Sequence, residues 1–469
     1  MNRGLVLNEE GAFQGYTLFS PLADDEVYLI DMEGEVVHSW QLERSGSCVY
    51  LLDDGSILQC LEEPENPRFR GGGLCGRMEI LDWEGNKTWS WSFMSDSGTQ
   101  HHDVELMPNG NILFVAWEHL PQEDALMLGR DPEFVGPGGM WPDVVYEVKP
   151  LPPDDVEVVW EWHSWDHLIQ DLDEEAAGYG SPADEVGRID INADHRDQPP
   201  LTAAEKERRR KIEEEMQALG YVGGDEEEEE DGGDDRRDGR RREREPDWLH
   251  TNAVDYHAGH DLIALSTPNL NEVWIIDHST TTEEAASPFG GRREQGGDLL
   301  WRWGNPRNYG AGTNRDRRFF YQHNPTFIDG EDGELRLLVY NNGGGRPDGD
   351  YSSVEELVLP FDPDKGFLRE PGEAFGPEEP AWIYQEKGDF FSSFISGAQR
   401  LPNGNTLICE GSTGRLIEVT PAGERVWLYE NVYGGDTDRG ENAPPVPPKA
   451  IFRCLRYGVD HPGVARLRD

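Results

Sequence analysis

Short runs of alternating apolar and polar residues fill most of this chain, and turn residues separate the runs. The stretch 27–40, VYLIDMEGEVVHSW, holds a strand-like run, a glycine turn and a second run that ends in tryptophan. Alternation with a period of two is typical of half-buried strands. The same shape returns at 78–91, 145–162, 273–303, 354–384 and 416–429. The pattern therefore predicts six copies of one hairpin.

A second hairpin lies between these copies, and it begins with VYLLDDGSILQC at 49–60. It recurs at 104–117, 253–266, 326–340 and 398–411, with a degenerate version at 450–460. Each unit then supplies about four short strands with Asn-Gly, Asp-Gly or Gly-Asp turns. Six such units closed radially form an all-β, six-bladed β-propeller, predicted as one domain over 1–469. We expect strand-end tryptophans to pack between blades: Trp40, Trp91, Trp160, Trp162, Trp301 and Trp303.

One segment, 170–246, does not follow the strand pattern, and we interpret it as an insertion in the third blade. Thr202 and Glu205 form the signature of a capping box, which predicts a helix over about 202–219. The charge run that follows, about 223–246, has too few apolar residues to bury. It is predicted to be a disordered acidic loop.

The charge of the chain is extreme: the formal net charge is −51, and 7 of the 42 basic residues are lysine, which leaves 42 − 7 = 35 arginines. The 15 Trp, 15 Tyr and 17 Phe argue against a disordered acidic chain. A folded, carboxylate-rich and lysine-poor surface repels itself at ordinary salt, but molar salt shortens the Debye length to about 3 Å. The composition indicates a halophilic protein from a high-salt environment and disfavours nucleic acid as a partner.

Targeting and cysteine signals are weak. The N-terminal sequence has no apolar stretch after a basic start, so no signal peptide is expected. No window reaches about 18 consecutive apolar residues, so we expect a cytoplasmic protein without a membrane partner. The five cysteines contain no C-x-x-C pair and are expected to be reduced and mostly buried.

Histidines recur just before the second hairpin, where the innermost strand of each blade begins. His101 and His102 occupy that place in blade two, His250 in blade three and His323 in blade four. Blade five offers Ser396, and blade one offers Ser47 and Cys48. Because the inner strands of a propeller start around one funnel, we expect these side chains to converge on a candidate site.

Arginine near these histidines would suit an anion with several oxygens, such as sulfate or phosphate. Arg346 follows the fourth inner hairpin in NNGGGRP. Residues 291–318 add a basic cluster, and part of it can pair with acidic neighbours: Arg292, Arg293, Arg302, Arg307, Arg315, Arg317 and Arg318.

The ordered set QHHD, WLHTNAVDY, NEVWIIDHSTTTEEAA, GGDLLWRWGNP, QHNPTF, NNGGGRP and ISGAQRLPNGNTLIC resembles the arylsulfate sulfotransferase family over most of 15–460. With the acidic composition it indicates a haloarchaeal-type member. The resemblance implies a six-bladed propeller, no cofactor and no nucleotide sulfate donor. It implies transfer of a sulfuryl group from an aryl sulfate to a phenol, both of them small-molecule partners.

The resemblance also assigns roles to residues of this chain. His250 and His323 match active-site histidines of the family, and Arg346 matches the arginine that binds sulfuryl oxygens. Asn252, in HTN, is expected to bind an oxygen or to orient a ring. His102 is a further catalytic candidate, with His101 and Ser396 as substrate-binding candidates.

One departure and three alternatives remain. Bacterial members carry a transiently sulfated histidine that would fall near 387–396, and this chain has none there. That absence favours a catalytically silent propeller that binds an anionic or aromatic ligand, or a protein. A quinone-dependent propeller dehydrogenase finds no support in paired cysteines or calcium motifs. Metal sites at 163–167, HSWDH, and 257–260, HAGH, lack a helix with i, i+4 ligands, and no metal is expected.

Overall fold

The computed structural model describes residues 3–22, 24–63, 66, 68–195, 210–211, 246–330, 333–435 and 449–468. Within these ranges, six antiparallel sheets of four or five strands carry the fold. Their innermost strands contact one another in a closed order around the ring. The predicted six-bladed β-propeller is confirmed.

Blades 1 and 2 are each formed by four strands that follow one another along the chain. After β1 to β4, which belong to the blades that close the ring, blade 1 contains β5 to β8 and blade 2 contains β9 to β12. The first twelve strands are β1 Gly4–Asn8, β2 Gly15–Pro21, β3 Glu26–Ile30, β4 Val36–Gln41, β5 Gly46–Leu51, β6 Ile57–Glu62, β7 Gly76–Leu81, β8 Lys87–Ser92, β9 Gly98–Leu106, β10 Ile112–Glu118, β11 Asp143–Leu151 and β12 Asp155–His163.

Blades 3 and 4 follow after a two-stranded parallel sheet, β13 with β14. Blade 3 contains β15 to β18, and blade 4 contains β19, β20, β21 and β24, while β22 and β23 form a small outer hairpin. These strands are β13 Leu168–Ile169, β14 Ile189–Asp190, β15 Ala253–His257, β16 Leu262–Thr267, β17 Glu272–Asp277, β18 Trp301–Trp303, β19 His323–Asp329, β20 Leu335–Asn341, β21 Ser353–Val358, β22 Phe361–Asp362, β23 Gly366–Phe367 and β24 Trp382–Gln385.

Blades 5 and 6 close the ring by joining the two ends of the chain. Blade 5 contains β25 to β28 and takes β1 as its fifth, outermost strand; blade 6 takes its innermost strand, β29, from the C-terminal region and β2 to β4 from the N-terminal region. The sequence pattern predicted these hairpins but did not indicate that the two ends of the chain pair in one blade. The last strands are β25 Gly397–Arg400, β26 Thr406–Glu410, β27 Arg415–Val419, β28 Arg425–Glu430 and β29 Ile451–Gly458.

Helices are short in the described part of the chain. They are α1 Gln122–Met127 and α2 Thr282–Ala285, with 3-10 turns at Ser164–His167, Pro306–Tyr309 and Pro462–Arg468. Thr281 and Glu284 close a capping box at the start of α2. None of the helices in these ranges is long and apolar enough to cross a membrane.

The predicted turns place glycine at positions where the backbone has a positive φ. Gly110 and Gly404 follow asparagine between the two inner strands of blades 2 and 5 and have φ values of 83° and 88°. Such a φ is strained for residues with a Cβ atom, so these turns favour glycine. The register that follows places alternate side chains in the cores between blades.

Tryptophan indoles link all six pairs of neighbouring blades. Each donates its N–H to a backbone or hydroxyl oxygen of the next blade, which confirms the predicted packing between blades. In blade 1 the donor is Trp89, whereas Trp91, the residue predicted from the repeat, is only half-buried and packs on Phe114 of blade 2. The donors and acceptors are Trp40 to Asp82, Trp89 to Asp155, Trp160 to Thr280, Trp162 to Gly297, Trp301 to Gly376, Trp303 to Pro377, Trp382 to Pro421 and Trp427 to Met32.

The structure describes the first part of the insertion. It connects blade 2 to blade 3 and does not interrupt the strands of blade 3. Its first part packs on the core: Ile189, Ile191 and Ala193 are buried, and Arg130 pairs with Asp194 at 2.6 Å. Of the predicted helix over 202–219, residues 210 and 211 are helical and exposed. The remainder of that helix and the predicted loop over 223–245 lie outside the described residues.

Candidate active site

The inner strands of blades 2, 3, 4 and 5 begin in unusual backbone conformations. The described chain has nine non-glycine residues with positive φ; five of them lie at or just before these strand starts, and a sixth, His102, lies at the irregularity within β9. Left-handed backbone costs about 1 kcal/mol or more at such residues and is concentrated at functional sites. The six are His102, His250, Tyr321, Asn324, Ile395 and Ser396.

The three predicted histidines of blades 2 to 4 come together there. The ring centroids of His102 and His250 are 4.5 Å apart, with the planes nearly perpendicular. His323 is close enough for its charge to act on His102, and that of His250 on His323. All three are buried, with His250 the most exposed at 8%.

His102 is held by a chain of hydrogen bonds that begins at Asp143. An ionised carboxylate can only accept, so the Nε2 atom of His101 donates to Asp143 Oδ1 at 2.9 Å. In neutral His101 the Nδ1 atom then accepts, so Nδ1 of His102 donates across the 2.7 Å contact. This order of donors leaves the lone pair of His102 on Nε2.

A glycine loop covers the His102 ring. Gly73 accepts a hydrogen bond from the His102 backbone N–H at 2.7 Å, and a Cβ atom on Gly73 would lie 2.1 Å from His102 Nε2. The His101 ring stacks on Trp117 at 4.1 Å. Burial, followed by the neighbouring rings of His250 and His101, lowers the pKa of His102 well below its ordinary 6.5.

His250 forms a dyad with Asp247. The Nδ1 atom donates to Oδ2 of Asp247 in a short hydrogen bond, which leaves the lone pair on Nε2. The next residue, Thr251, donates both its backbone N–H and its hydroxyl to Asp143, at 2.9 and 2.7 Å. Asp143 therefore connects the His101–His102 pair to the segment that carries His250.

His323 has its tautomer fixed by Asn342. The amide nitrogen of Asn342 donates to the backbone carbonyls of Ser392 and Ile395, at 2.8 and 2.9 Å. Its oxygen therefore faces His323 Nδ1, which donates at 2.7 Å. Burial is the main reason that the pKa of His323 is lowered to about 3. The ring is neutral near pH 7, and its Nε2 atom has no hydrogen-bond partner among the described residues.

Asn252 and Ser396 line the neighbouring strand starts. Asn252 donates to the carbonyl of Gln322 at 2.9 Å, beside His323, and its oxygen is buried without a hydrogen-bond partner in the described ranges. Ser396 Oγ accepts from the Gly411 backbone N–H at 2.9 Å. Both residues are buried at the predicted place, and the hydroxyl of Ser396 is engaged within blade 5.

Arg346 lies near this site along the chain, but its guanidinium forms an ion pair with a carboxylate. Its guanidinium donates to Ser353 Oγ and lies 3.4 Å from Glu355 Oε1. It also lies 4.6 Å from the centre of the Tyr351 ring. Along the chain Arg346 is connected to His323 through Asn342, which lies four residues earlier and accepts from the His323 ring.

Three acidic residues and one arginine of the site were not predicted from the sequence. Asp247 precedes His250 by three residues, a spacing that could have indicated the dyad. Asp143 is distant in sequence and gives no local signal. Asp103, the residue after His102, accepts from both terminal guanidinium nitrogens of Arg453, at 3.0 and 2.9 Å, and the pair is buried. The charge of Arg453 helps to lower the pKa of both His102 and His323.

Three histidines of the two motifs that could resemble metal sites each contact a different carboxylate. His163 lies 2.8 Å from Glu118, and His167 lies 2.7 Å from Asp298. His257 lies 3.0 Å from Asp329. No group of three or more His, Cys, Asp and Glu side chains arranged to hold a metal occurs in the described ranges.

The cysteines are free thiols, and all five are buried. Cys48 and Cys60 lie with their sulfurs 3.3 Å apart, and Ser47 is hydrogen-bonded to Cys75 at 3.2 Å. Burial raises the pKa of Cys60 well above its ordinary value. These thiols are packed as small apolar side chains.

The fold and this site define a six-bladed β-propeller with a histidine cluster where its inner strands begin. The arylsulfotransferase (ASST) family model matches residues 14–357, which is most of the chain. The chain therefore belongs to the arylsulfotransferase family. No curated protein matches it.

Solved structures show only a distant likeness. A protein of unknown function from Bacteroides caccae is 11% identical, with a TM-score of 0.43, over 94% of this chain and 98% of its own. The periplasmic gluconolactonase of Pseudomonas aeruginosa is 13% identical, with a TM-score of 0.39, over 89% of this chain and 96% of its own. These similarities carry no functional argument.

Proposed function

We propose that this protein transfers a sulfuryl group from an aryl sulfate ester to a phenol without a nucleotide donor. The observation that carries the proposal is the shared tautomer of the three histidines. Each holds its Nδ1 proton in a hydrogen bond to the protein, so Nε2 is the atom that carries the lone pair when the ring is neutral and the second proton when the ring is charged. Family membership supports the same reaction class.

His323 is the nucleophile that this arrangement favours. A neutral imidazole is the reactive form, and burial holds His323 in that form. Its Nε2 lone pair attacks sulfur, an N–S bond forms, and the bond from sulfur to the aryl oxygen breaks. His102 carries the same lone pair but is covered by Gly73 and has no exposed surface. His323 would thus replace the family histidine that is absent from 387–396.

His250 is the acid–base candidate because Asp247 stabilises its imidazolium. In the first step protonated His250 gives its Nε2 proton to the departing phenolate. In the second step it takes the proton of the acceptor phenol, whose oxygen attacks sulfur and releases His323. Asp247 plays the part that the aspartate plays in a serine protease triad, where it orients and stabilises the imidazolium.

The sulfuryl oxygens need positive charge as negative charge concentrates on them. Arg346 and the amide of Asn252 are the candidates carried by the family resemblance. The Glu355 contact reduces the charge that Arg346 can offer while it is bound there. We expect Arg346 to exchange Glu355 for the sulfuryl group when the donor binds.

The test is acceptor-dependent release of 4-nitrophenol from 4-nitrophenyl sulfate, at high salt, with phenol as the acceptor. His250→Ala and His323→Ala should each lower kcat/KM by about 10²–10⁴-fold. His260→Ala, in the turn that follows β15, is the matched control and should be unaffected. Turnover that survives His323→Ala at the wild-type rate would exclude His323 as the nucleophile.

A silent binding propeller predicts a different result. Folded wild-type protein would then bind aryl sulfates without turnover across a panel of donors. Intact-mass measurement after acid-free quenching gives a second readout, because the proposal requires a transient mass increase of one SO3 group that disappears on addition of phenol. A mass increase that persists in His323→Gln would move the covalent step to another residue.

A further inference from the structure

Arg317 makes no ion pair with a carboxylate in the described part of the chain, and unlike Arg315 of the same loop it is partly buried. The adjacent carboxylate, Asp316, instead accepts from the Thr313 backbone N–H and hydroxyl, at 2.7 and 2.8 Å. Four neighbours in the cluster are paired: Arg292 with Asp261, Arg293 with Asp277, Arg302 with Glu272 and Arg318 with Glu379. In a chain with 93 acidic and 42 basic residues, a partly buried arginine without a carboxylate partner needs an explanation.

The Arg317 side chain begins an alternating row of cations and aromatic rings. Its Cζ atom lies 4.2 Å from the centre of the Phe320 ring, and that of Arg346 lies 5.7 Å from the same ring. Arg346 and the Nζ atom of Lys387 lie 4.6 and 4.4 Å from the centre of the Tyr351 ring. We call these five residues the cation row.

The row has an excess of positive charge at one end. The charge of Arg346 is balanced by its ion pair with Glu355, and the charge of Lys387 by its ion pair with Asp348. Three cations against two carboxylates leave 3 − 2 = +1, and this charge resides on Arg317. The Nε atom of Arg317 is buried and has no hydrogen-bond partner among the described residues.

The row is fixed next to the histidines. The backbone N–H of Arg318 donates to Gly304 at 2.7 Å, and that of Phe320 donates to Asn341 at 2.9 Å. Tyr321, the next residue, places its carbonyl 3.2 Å from His323 Nδ1. The loop that carries Arg317 therefore leads directly into the strand that begins with His323.

Burying this charge without compensation is unfavourable. Burial, with a contribution from nearby Arg307, lowers the pKa of Arg317 from its ordinary value. A bound oxyanion would remove the penalty and accept charge-assisted hydrogen bonds from the guanidinium. The rings of Phe320 and Tyr351 place aromatic surface beside the same charge.

We propose that Arg317 binds an oxyanion carried by the aromatic substrate at the edge of the histidine site. The oxyanion is either the sulfuryl group itself or a second acidic substituent on the ring. The inference extends the proposed function by adding a substrate-binding arginine. Its test is a binding measurement, which can succeed or fail independently of turnover.

The experiment compares Arg317→Met with Arg315→Met, which removes the same charge from an exposed position in the same loop. Calorimetry measures the binding of 4-nitrophenyl sulfate and 4-sulfooxybenzoate to full-length protein. Arg317→Met should weaken binding at least about tenfold, or about 1.4 kcal/mol. Arg315→Met should bind as wild type does, and Arg317→Lys should be intermediate because it retains charge without the planar fork.

The two probes distinguish the source of the oxyanion. Equal loss for both assigns Arg317 to the sulfuryl group, and loss confined to 4-sulfooxybenzoate assigns it to a second acidic substituent. Arg317-dependent binding without turnover would leave this inference standing and overturn the proposed function. Turnover with identical binding by Arg317→Met and Arg315→Met would overturn this inference alone.

A stability measurement separates ligand binding from a structural role. Without ligand, Arg317→Met should unfold at the same or a higher temperature than wild type, because the change removes an uncompensated charge and keeps an apolar stem on Phe320. An arginine that only supports the loop would give a lower unfolding temperature and unchanged ligand affinity. That pair of results would overturn the proposal.

Discussion

At the scale of single residues, the site depends on which nitrogen of each histidine carries the proton. Asp143 acts through His101 on His102, Asp247 acts on His250, and Asn342 acts on His323. Asp247 and Asn342 accept from the Nδ1–H of their histidine directly, and Asp143 acts on His102 through the His101 ring, so Nε2 is the unprotonated nitrogen in each neutral ring. Because an imidazolium is costly when buried, the two most buried rings are neutral near pH 7.

The neutral state of His323 predicts a specific loss of stability in acid. Its pKa is about 3 in the folded protein and about 6.5 in the unfolded chain, so below pH 6.5 the unfolded chain binds the extra proton. Stability is present in full above pH 6.5 and falls as the pH decreases toward 3. At pH 5 the loss from this ring is ~2 kcal/mol, from about 1.4 kcal/mol per pH unit.

His323→Gln should abolish that part of the pH dependence, since glutamine does not titrate and can still donate toward Asn342. The measurement is the difference in free energy of unfolding between pH 7 and pH 5, for wild type and variant. The variant should lose ~2 kcal/mol less. Equal losses would show that His323 is not buried in its neutral form.

Gly73 should resist substitution because of its contact with His102 rather than its φ alone. An alanine Cβ would lie 2.1 Å from His102 Nε2, whereas nothing lies within 4 Å of Gly85, which has a similar positive φ. Gly73→Ala should cost about 1–3 kcal/mol more than Gly85→Ala, in the range of overpacked sites. Chemical unfolding of the two variants measures this difference, and equal costs would contradict the contact.

At the scale of elements, the blades are joined by their outer strands as well as by apolar cores. Each blade donates at least one tryptophan N–H to the next, including the pair that closes the ring, where Trp427 donates to the Met32 carbonyl at 3.0 Å. Trp89 does the same between blades 1 and 2 and is 1% exposed. A hydrogen bond of this kind contributes about 0.5–1.5 kcal/mol net, and leaving its carbonyl unpaired costs more.

Trp89→Phe tests this linkage, with Trp91→Phe as the control on the same strand. Trp89→Phe removes the donor to the Asp155 carbonyl and part of a buried ring, so it should cost about 2–3 kcal/mol of unfolding free energy. Trp91 is half-buried and makes no such bond among the described residues, so Trp91→Phe should cost less than about 1 kcal/mol. Chemical unfolding measures the free energy of unfolding of both variants. Equal costs would mean that the hydrogen bond between blades does not contribute to stability.

At the scale of the whole molecule, the net charge of −51 dominates the electrostatics. Several arginines are used in ion pairs with buried carboxylates, as Arg302 with Glu272 and Arg453 with Asp103. The surplus carboxylates repel one another, and salt screens that repulsion. From this balance we predict that the folded protein is more stable at high salt.

The unfolding temperature should therefore rise steadily from about 0.1 M to about 2 M KCl, as the Debye length falls from about 10 Å to a few Å. A neutral osmolyte at matched osmolality controls for effects unrelated to charge and should give a smaller rise. An unfolding temperature that does not respond to KCl would contradict adaptation to salt.

The features that depend on local pattern could be predicted from the sequence alone. Strand alternation and glycine turns repeat within each blade, so the number of blades and the place of His102, His250 and His323 follow from neighbours along the chain. The same local pattern showed that no histidine lies between 387 and 396.

Contacts between residues far apart in the chain were decided only by the tertiary structure. Asp143 lies 42 residues from His101, and Arg453 lies 350 residues from Asp103. The pairing of β29 with β2 belongs to the same class, and the lack of a carboxylate partner for Arg317 in the described chain became visible only once its neighbours in space were known. Their physical reason is shared: ring closure brings together side chains whose sequence separation carries no signal, and only their packed geometry shows which charges are matched.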